Sequence, residues 1–133
     1  MTDRALVGEA VTLLWGGDEA RVGDIVAPAY RDHAAGGVGP DGFRAARAAF
    51  RRAFADVELS AHDVVVADGR AAVRVRVRGL HVGPHAGLEP SGRTIEWDEI
   101  HLWRLEDGRV IEHWACRDDL VAMRRLGADL RWA

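Results

Sequence analysis

The stretch RVIEHWACRDDL, residues 109 to 120, carries Glu112, His113 and Trp114 in an alternating apolar run that stops at two adjacent aspartates, Asp118 and Asp119. A carboxylate at a strand end has two common uses: it caps the next helix by accepting backbone N–H bonds, or it takes and returns a proton. Strand periodicity puts Val110, Glu112, Trp114, Cys116 and Asp118 on one face, opposite Arg109, Ile111, His113, Ala115 and Arg117. The first face, with two carboxylates among apolar groups, is the expected pocket wall. Asp118 is then expected to point inward beside Trp114, where burial raises a carboxyl pKa toward the range a reversible acid/base needs. Asp119, directly before LVAMRRL, is expected to be the N-cap. Spacing alone leaves open the reverse, in which Asp118 is the cap or the partner of a buried arginine.

Other side chains join this site by the same face logic. In VRVRVRGLH, Val73, Val75 and Val77 alternate with Arg74, Arg76 and Arg78, and the period carries His81 to the valine side. His81 is therefore expected to face inward, either orienting a carbonyl or shuttling a proton, or simply satisfying a local carbonyl. If the LEDGR turn is a three-residue loop, even residues pair with even, and Asp98, Ile100, Leu102 and Arg104 share the face of Glu112. Arg104 then neutralises Glu112 as a buried pair supporting the pocket wall. A two-residue turn instead brings Trp97, Glu99, His101 and Trp103 inward. Trp114 offers a flat wall to an aromatic ligand, and His33 in YRDH reaches the pocket mouth. The His81–His85 pair in HVGPH is no metal site by expectation, because Gly83 and Pro84 deny it a helix and no cysteine is near.

The elements that position these groups follow from periodicity. Leu6, Val7, Ala10, Val11, Leu14 and Trp15 predict a helix opened by Thr2–Asp3 and closed by Gly16–Gly17. A short helix from Asp18 ends before Pro28, and YRDH emerges extended. After the loop AAGGVGPDG, the residues Phe43, Ala46, Phe50, Ala53 and Phe54 predict the long helix that covers a sheet, with Arg44, Arg47 and Arg51 on its other side. From Val57 the period becomes two, giving strands turned at Asp68–Gly69 and again at Glu106–Asp107–Gly108. Three helices followed by four long strands predict an α+β fold with a curved antiparallel sheet.

Composition narrows the partners. The 133 residues suit one domain with a core and one pocket. The formal charge is only −3 and neither sign forms a run, so no footprint for nucleic acid or an anionic membrane is present. All 18 basic residues are arginines, which removes lysine Schiff-base chemistry. The single Cys116 forms no internal disulfide, and the N-terminal region carries neither a signal-like apolar run nor a membrane span, so the cytoplasm is the expected address.

The stretch GLHVGPHAGLEPSGR, 79 to 93, resembles the Gly-Thr-His-x-Gly, Gly and Pro-Thr-Gly-Lys/Arg pattern of SnoaL-like polyketide cyclases, also called ester cyclases. DGRVIEHWACRDDLVAMRRLG resembles their Asp-Gly-Lys-Ile-x-Glu-His-Trp-x-x-x-Asp segment ending in Gln-Leu-Gly. The departures are Leu80 for Thr, His85 for an aromatic and Arg125 for Gln. The resemblance implies a single SnoaL-like domain over 1–133. Its expected form is the cone-shaped α+β barrel of nuclear transport factor 2-like proteins, a curved sheet wrapped around N-terminal helices with an internal pocket. It implies that Asp118 matches the catalytic aspartate; the face assignments set His81 beside it as a catalytic candidate and His33, Arg104, Glu112 and Trp114 as candidate substrate-site residues. The expected function is cofactor-independent, metal-free acid/base cyclisation, of intramolecular aldol type, on a polyketide-like hydrophobic carbonyl compound. The alternative is a binding protein for a small hydrophobic ligand; an epoxide hydrolase fits poorly, because Glu96 stands where an arginine is wanted. A homodimer through the outward sheet face, carrying Trp103 or its neighbours with Ile111 and Ala115, is expected.

Overall fold

The computed structural model describes residues 1–131. Helix α1 (Asp3–Trp15) starts where Thr2 accepts the Ala5 N–H on its hydroxyl. It buries Leu6, Val7, Ala10, Val11, Leu14 and Trp15 as the spacing predicts, and Leu13 besides. A turn of 3-10 helix (Glu19–Arg21) leads into α2 (Val22–Ile25), and the chain becomes extended at β1 (Val26–Asp32), which contains Pro28. Inside the expected glycine-rich loop the short β2 (Gly37–Val38) forms, and α3 (Gly39–Ala53) begins four residues before Phe43, with Pro40 in its first turn, where a missing N–H costs nothing. Then come β3 (Phe54–Ala67), β4 (Arg70–His81), β5 (Thr94–Glu106), β6 (Arg109–Arg117) and α4 (Asp119–Arg125).

The fold is α+β, as expected, with two strands more than the sequence predicts. The sheet runs β2-β1-β6-β5-β4-β3 and is curved but not closed. It is mixed: β1 and β6 pair in parallel and the other neighbours antiparallel. The parallel pairing brings Asp32 beside His113 although 81 positions separate them. One sheet face packs on α1 and α3, and there Val73, Val75, Val77 and His81 are all buried, as the alternation predicts.

One expectation about α3 fails instructively. Arg47, placed by its period on the solvent side, is buried. Its guanidinium donates to the carbonyls of Leu13 (2.9 Å), Gly16 and Gly17 (3.0 Å), satisfying the open C-terminal end of α1. Burial lowers the pKa of this arginine, and three carbonyl acceptors hold it in place.

Candidate functional site

The register of the β5–β6 hairpin decides which side chains face the helices. The turn has two residues, Asp107 (φ 52°) and Gly108 (φ 73°), between the paired Glu106 and Arg109. This is the I′-type loop that suits strand twist. Two positions further on, the ladder passes from Leu105↔Val110 to Arg104↔Glu112, so Ile111 is an extra residue, a β-bulge. Even residues therefore do pair with even beyond the bulge (Leu102↔Trp114, Ile100↔Cys116), but this set lies on the outer face. The inner face carries Trp97, Glu99, His101 and Trp103 from β5 and His113 and Ala115 from β6. A single bulge reverses an alternation-based face assignment, because side-chain direction has period two.

The expected substrate-site residues are displaced accordingly. Arg104 Nε donates to Glu112 Oε1 at 2.6 Å, as paired by expectation, yet on the outer face and part-exposed. His33 Nε2 lies 2.8 Å from Glu112 Oε2, and its ring stacks on Trp114 at 4.7 Å. These four residues come together, but across the sheet from the interior. Asp118 is exposed and is itself the N-cap of α4, accepting the Val121 N–H at 3.4 Å. Asp119, the expected cap, is the first helical residue and lies 3.6 Å from Arg117. The spacing that suits both aspartates to capping is resolved by the strand ending at Arg117, which leaves Asp118 in the capping position.

His81 is fully buried, packed beside Phe54 at 5.5 Å between ring centroids. The Ser91 backbone N–H donates to its Nδ1 at 3.0 Å, so the neutral ring carries its proton on Nε2. Among the described residues that buried Nε2 has no hydrogen-bond partner.

Of the groups assembled inside, Trp97, Glu99 and His101 are those a two-residue turn brings inward, His113 is moved there by the bulge, and Tyr30 and Asp32 carry no site signal in the sequence. Tyr30 and Asp32 of β1, His113 of β6, and His101, Glu99 and Trp97 of β5 form one continuous buried row. The Tyr30 hydroxyl donates to Asp32 Oδ2 (3.2 Å), and His113 Nδ1 lies 3.2 Å from Asp32 Oδ1. His113 Nε2 meets His101 Nδ1 at 2.7 Å, His101 Nε2 meets Glu99 Oε1 at 2.8 Å, and Trp97 Nε1 donates to Glu99 Oε2 at 2.7 Å. The Trp103 ring stacks on His113 at 3.9 Å and holds it flat.

Electrostatics act on the two carboxylates in the same sense. Burial pushes the Asp32 pKa up, but the His113 bond and the Ala35 and Ala34 backbone N–H groups together outweigh it and hold Asp32 at about 2. For Glu99 burial is likewise the largest single effect and acts upward; His101, Trp97 and Arg117 together leave its pKa lowered. His113 is lowered chiefly by burial, against the pull of Asp32. Asp32, Glu99, His101, His113 and Arg117 line an enclosed cavity of about 10 Å³, closed on the helix side by Leu14 and Phe50. That is the room of one water molecule. Among the described residues no group of three or more His, Cys, Asp or Glu is arranged to hold a metal ion.

This architecture has known counterparts. Residues 5–126 match the family described as SnoaL-like polyketide cyclase. The aklanonic acid methyl ester cyclase DnrD of Streptomyces peucetius is 32% identical over 91 residues, which span 67% of this chain and 62% of that protein. The structure of TsrD from Streptomyces laurentii superposes with a TM-score of 0.84 at 31% identity, covering 97% of this chain and 100% of that one. A SnoaL-like polyketide cyclase from Agrobacterium tumefaciens superposes at 0.81 with 19% identity, covering 96% and 100%, and so shares the fold.

Proposed function

Because the chain belongs to the SnoaL-like polyketide cyclase family, we propose that it is a cofactor-independent cyclase that closes a ring in a polyketide-like hydrophobic carbonyl compound by intramolecular aldol chemistry. The observation that carries this reading is the buried row Asp32–His113–His101–Glu99 on the cavity wall, a set of acid and base groups in mutual contact and shielded from solvent. An aldol closure needs one group to remove an acidic α-proton and one to return a proton to the new alkoxide; holding both ends of a substrate together supplies the rest of the acceleration. Relatives such as DnrD, named for an aklanonic acid methyl ester, suggest the substrate class.

A polyketide-sized molecule needs a site of several hundred Å³. In this reading Leu14 of α1 and Phe50 of α3, which close the cavity, part from the sheet to admit it. A second reading keeps Asp118 as the acid/base group, and what favours it is its place in the Glu-His-Trp-x-x-x-Asp segment.

The experiment is incubation with aklanonic acid methyl ester in D₂O. A cyclised product of unchanged carbon skeleton mass, with α-C–H exchange in residual substrate, is expected. Tight binding of the compound with neither exchange nor product would favour a ligand-binding protein instead.

A further inference from the structure

The contact between His101 and His113 fixes a proton count. Two neutral imidazoles that donate outward, His113 Nδ1–H to Asp32 and His101 Nε2–H to Glu99, turn two lone pairs toward each other across 2.7 Å. That arrangement is repulsive, and a hydrogen bond there requires a further proton. We infer that Asp32, His113, His101 and Glu99 are one proton-holding unit, with three protons in its three links and one net negative charge, and that Glu99 is the member that exchanges a proton with the bound substrate.

The two ends of the row are not equivalent. Asp32 accepts four hydrogen bonds, three on Oδ1 from His113, Ala34 and Ala35 and one on Oδ2 from Tyr30. Among the described residues Glu99 accepts two, one on each oxygen, from Trp97 and His101, which leaves a lone pair on each oxygen of a residue that lines the cavity. The other groups facing the unit sort the same way: Tyr30 on β1 stands at the Asp32 end, Arg117 on β6 lines the cavity with Glu99, and α1 and α3 contribute only apolar Leu14 and Phe50 there. With both ends ionised, the third proton makes the imidazole pair a shared imidazolium, and the link from that pair to the cavity runs through the 2.8 Å contact of His101 Nε2 with Glu99 Oε1. Asp32 and His113 are then positioning residues and Glu99 the catalytic one.

The exchange step rests on the cyclase reading, and its balance is complete. The substrate Cα–H bond breaks, its proton goes to Glu99, and its electron pair forms an enolate. The enolate carbon bonds to a carbonyl carbon of the same molecule, and the resulting alkoxide takes the proton back from Glu99. The unit ends as it began.

The proton count itself is independent of any substrate. In protein carrying ¹⁵N-labelled histidine side chains, NMR at pH 7 should find three protonated ring nitrogens across His101 and His113, with one far-downfield proton correlated to both rings. In Glu99→Gln the count should fall to two, since the amide N–H donates to His101 and the row is filled without the extra charge. Asp118→Asn should leave it at three. Two protonated nitrogens in the unsubstituted protein, or a count indifferent to Glu99→Gln, overturns the unit whatever the cyclase assay shows. A unit found intact in a protein that never exchanges a substrate α-proton overturns the role of Glu99 and, with it, the cyclase reading.

Discussion

At the level of single residues, both carboxylates of the buried row are held below the usual carboxylate range against the effect of burial, and acid unfolding reads this at Asp32. The pKa of Asp32 falls from 3.8 to about 2 on folding, so its contribution to stability is fully present above about pH 4 and is lost as pH falls through about 2. That loss amounts to about 2 kcal/mol. Acid unfolding of Asp32→Asn should lack this component while starting from a less stable protein at pH 7; parallel curves for both proteins would show that Asp32 is not so held. Asp118 belongs to a different class of residue. As the cap of α4 it should cost about 1 kcal/mol of stability in Asp118→Ala and much less in Asp118→Asn, read from thermal or urea unfolding.

The elements explain how much of this was legible in the sequence. Helix α1, the Asp68–Gly69 turn and the inward valines of β4 all follow from period and turn chemistry, because each is a local property of the chain. The site is not local. Ile111 as a bulge has no signature in RVIEHW, yet it moves Glu112, Trp114 and Asp118 off the inner face and puts His113 on it. The parallel β1–β6 pairing that delivers Asp32 is likewise a product of the whole sheet. The alternative register, with Glu99 and His101 inward, was readable as a possibility; only the two-residue turn at Asp107–Gly108 selects it. Two tight element contacts should be sensitive. A Cβ on Gly83 meets the Arg52 carbonyl oxygen at 2.1 Å, so Gly83→Ala must displace the α3–β4 junction. Arg47→Met, which strips three carbonyls of α1 of their donor, should destabilise by about 2–3 kcal/mol in urea titration; a loss under 0.5 kcal/mol would mean water replaces the guanidinium without cost.

At the scale of the molecule, the outer sheet face exposes Ile100, Leu102 and Trp114 side by side. Trp103, Ile111 and Ala115, expected there, are instead drawn inward or into the bulge. The ion pairs Arg76–Asp98 and Arg104–Glu112 flank this apolar strip, and a two-fold contact through the strip would cover it. We expect a homodimer through it, and sedimentation equilibrium should show Leu102→Glu shifting the protein to monomer; an unsubstituted protein that is monomeric at micromolar concentration contradicts this. No helix among the described residues is long and apolar enough to cross a membrane. Inside the sheet, the proposed acid/base chemistry runs from the buried row through Glu99. Its most direct test is kcat/KM on aklanonic acid methyl ester for Glu99→Gln and Asp118→Asn, with folding checked by circular dichroism. The account predicts a loss of roughly a hundredfold or more in Glu99→Gln and little change in Asp118→Asn. A folded Glu99→Gln that turns over normally, while Asp118→Asn loses activity by that factor, contradicts it and returns the chemistry to Asp118.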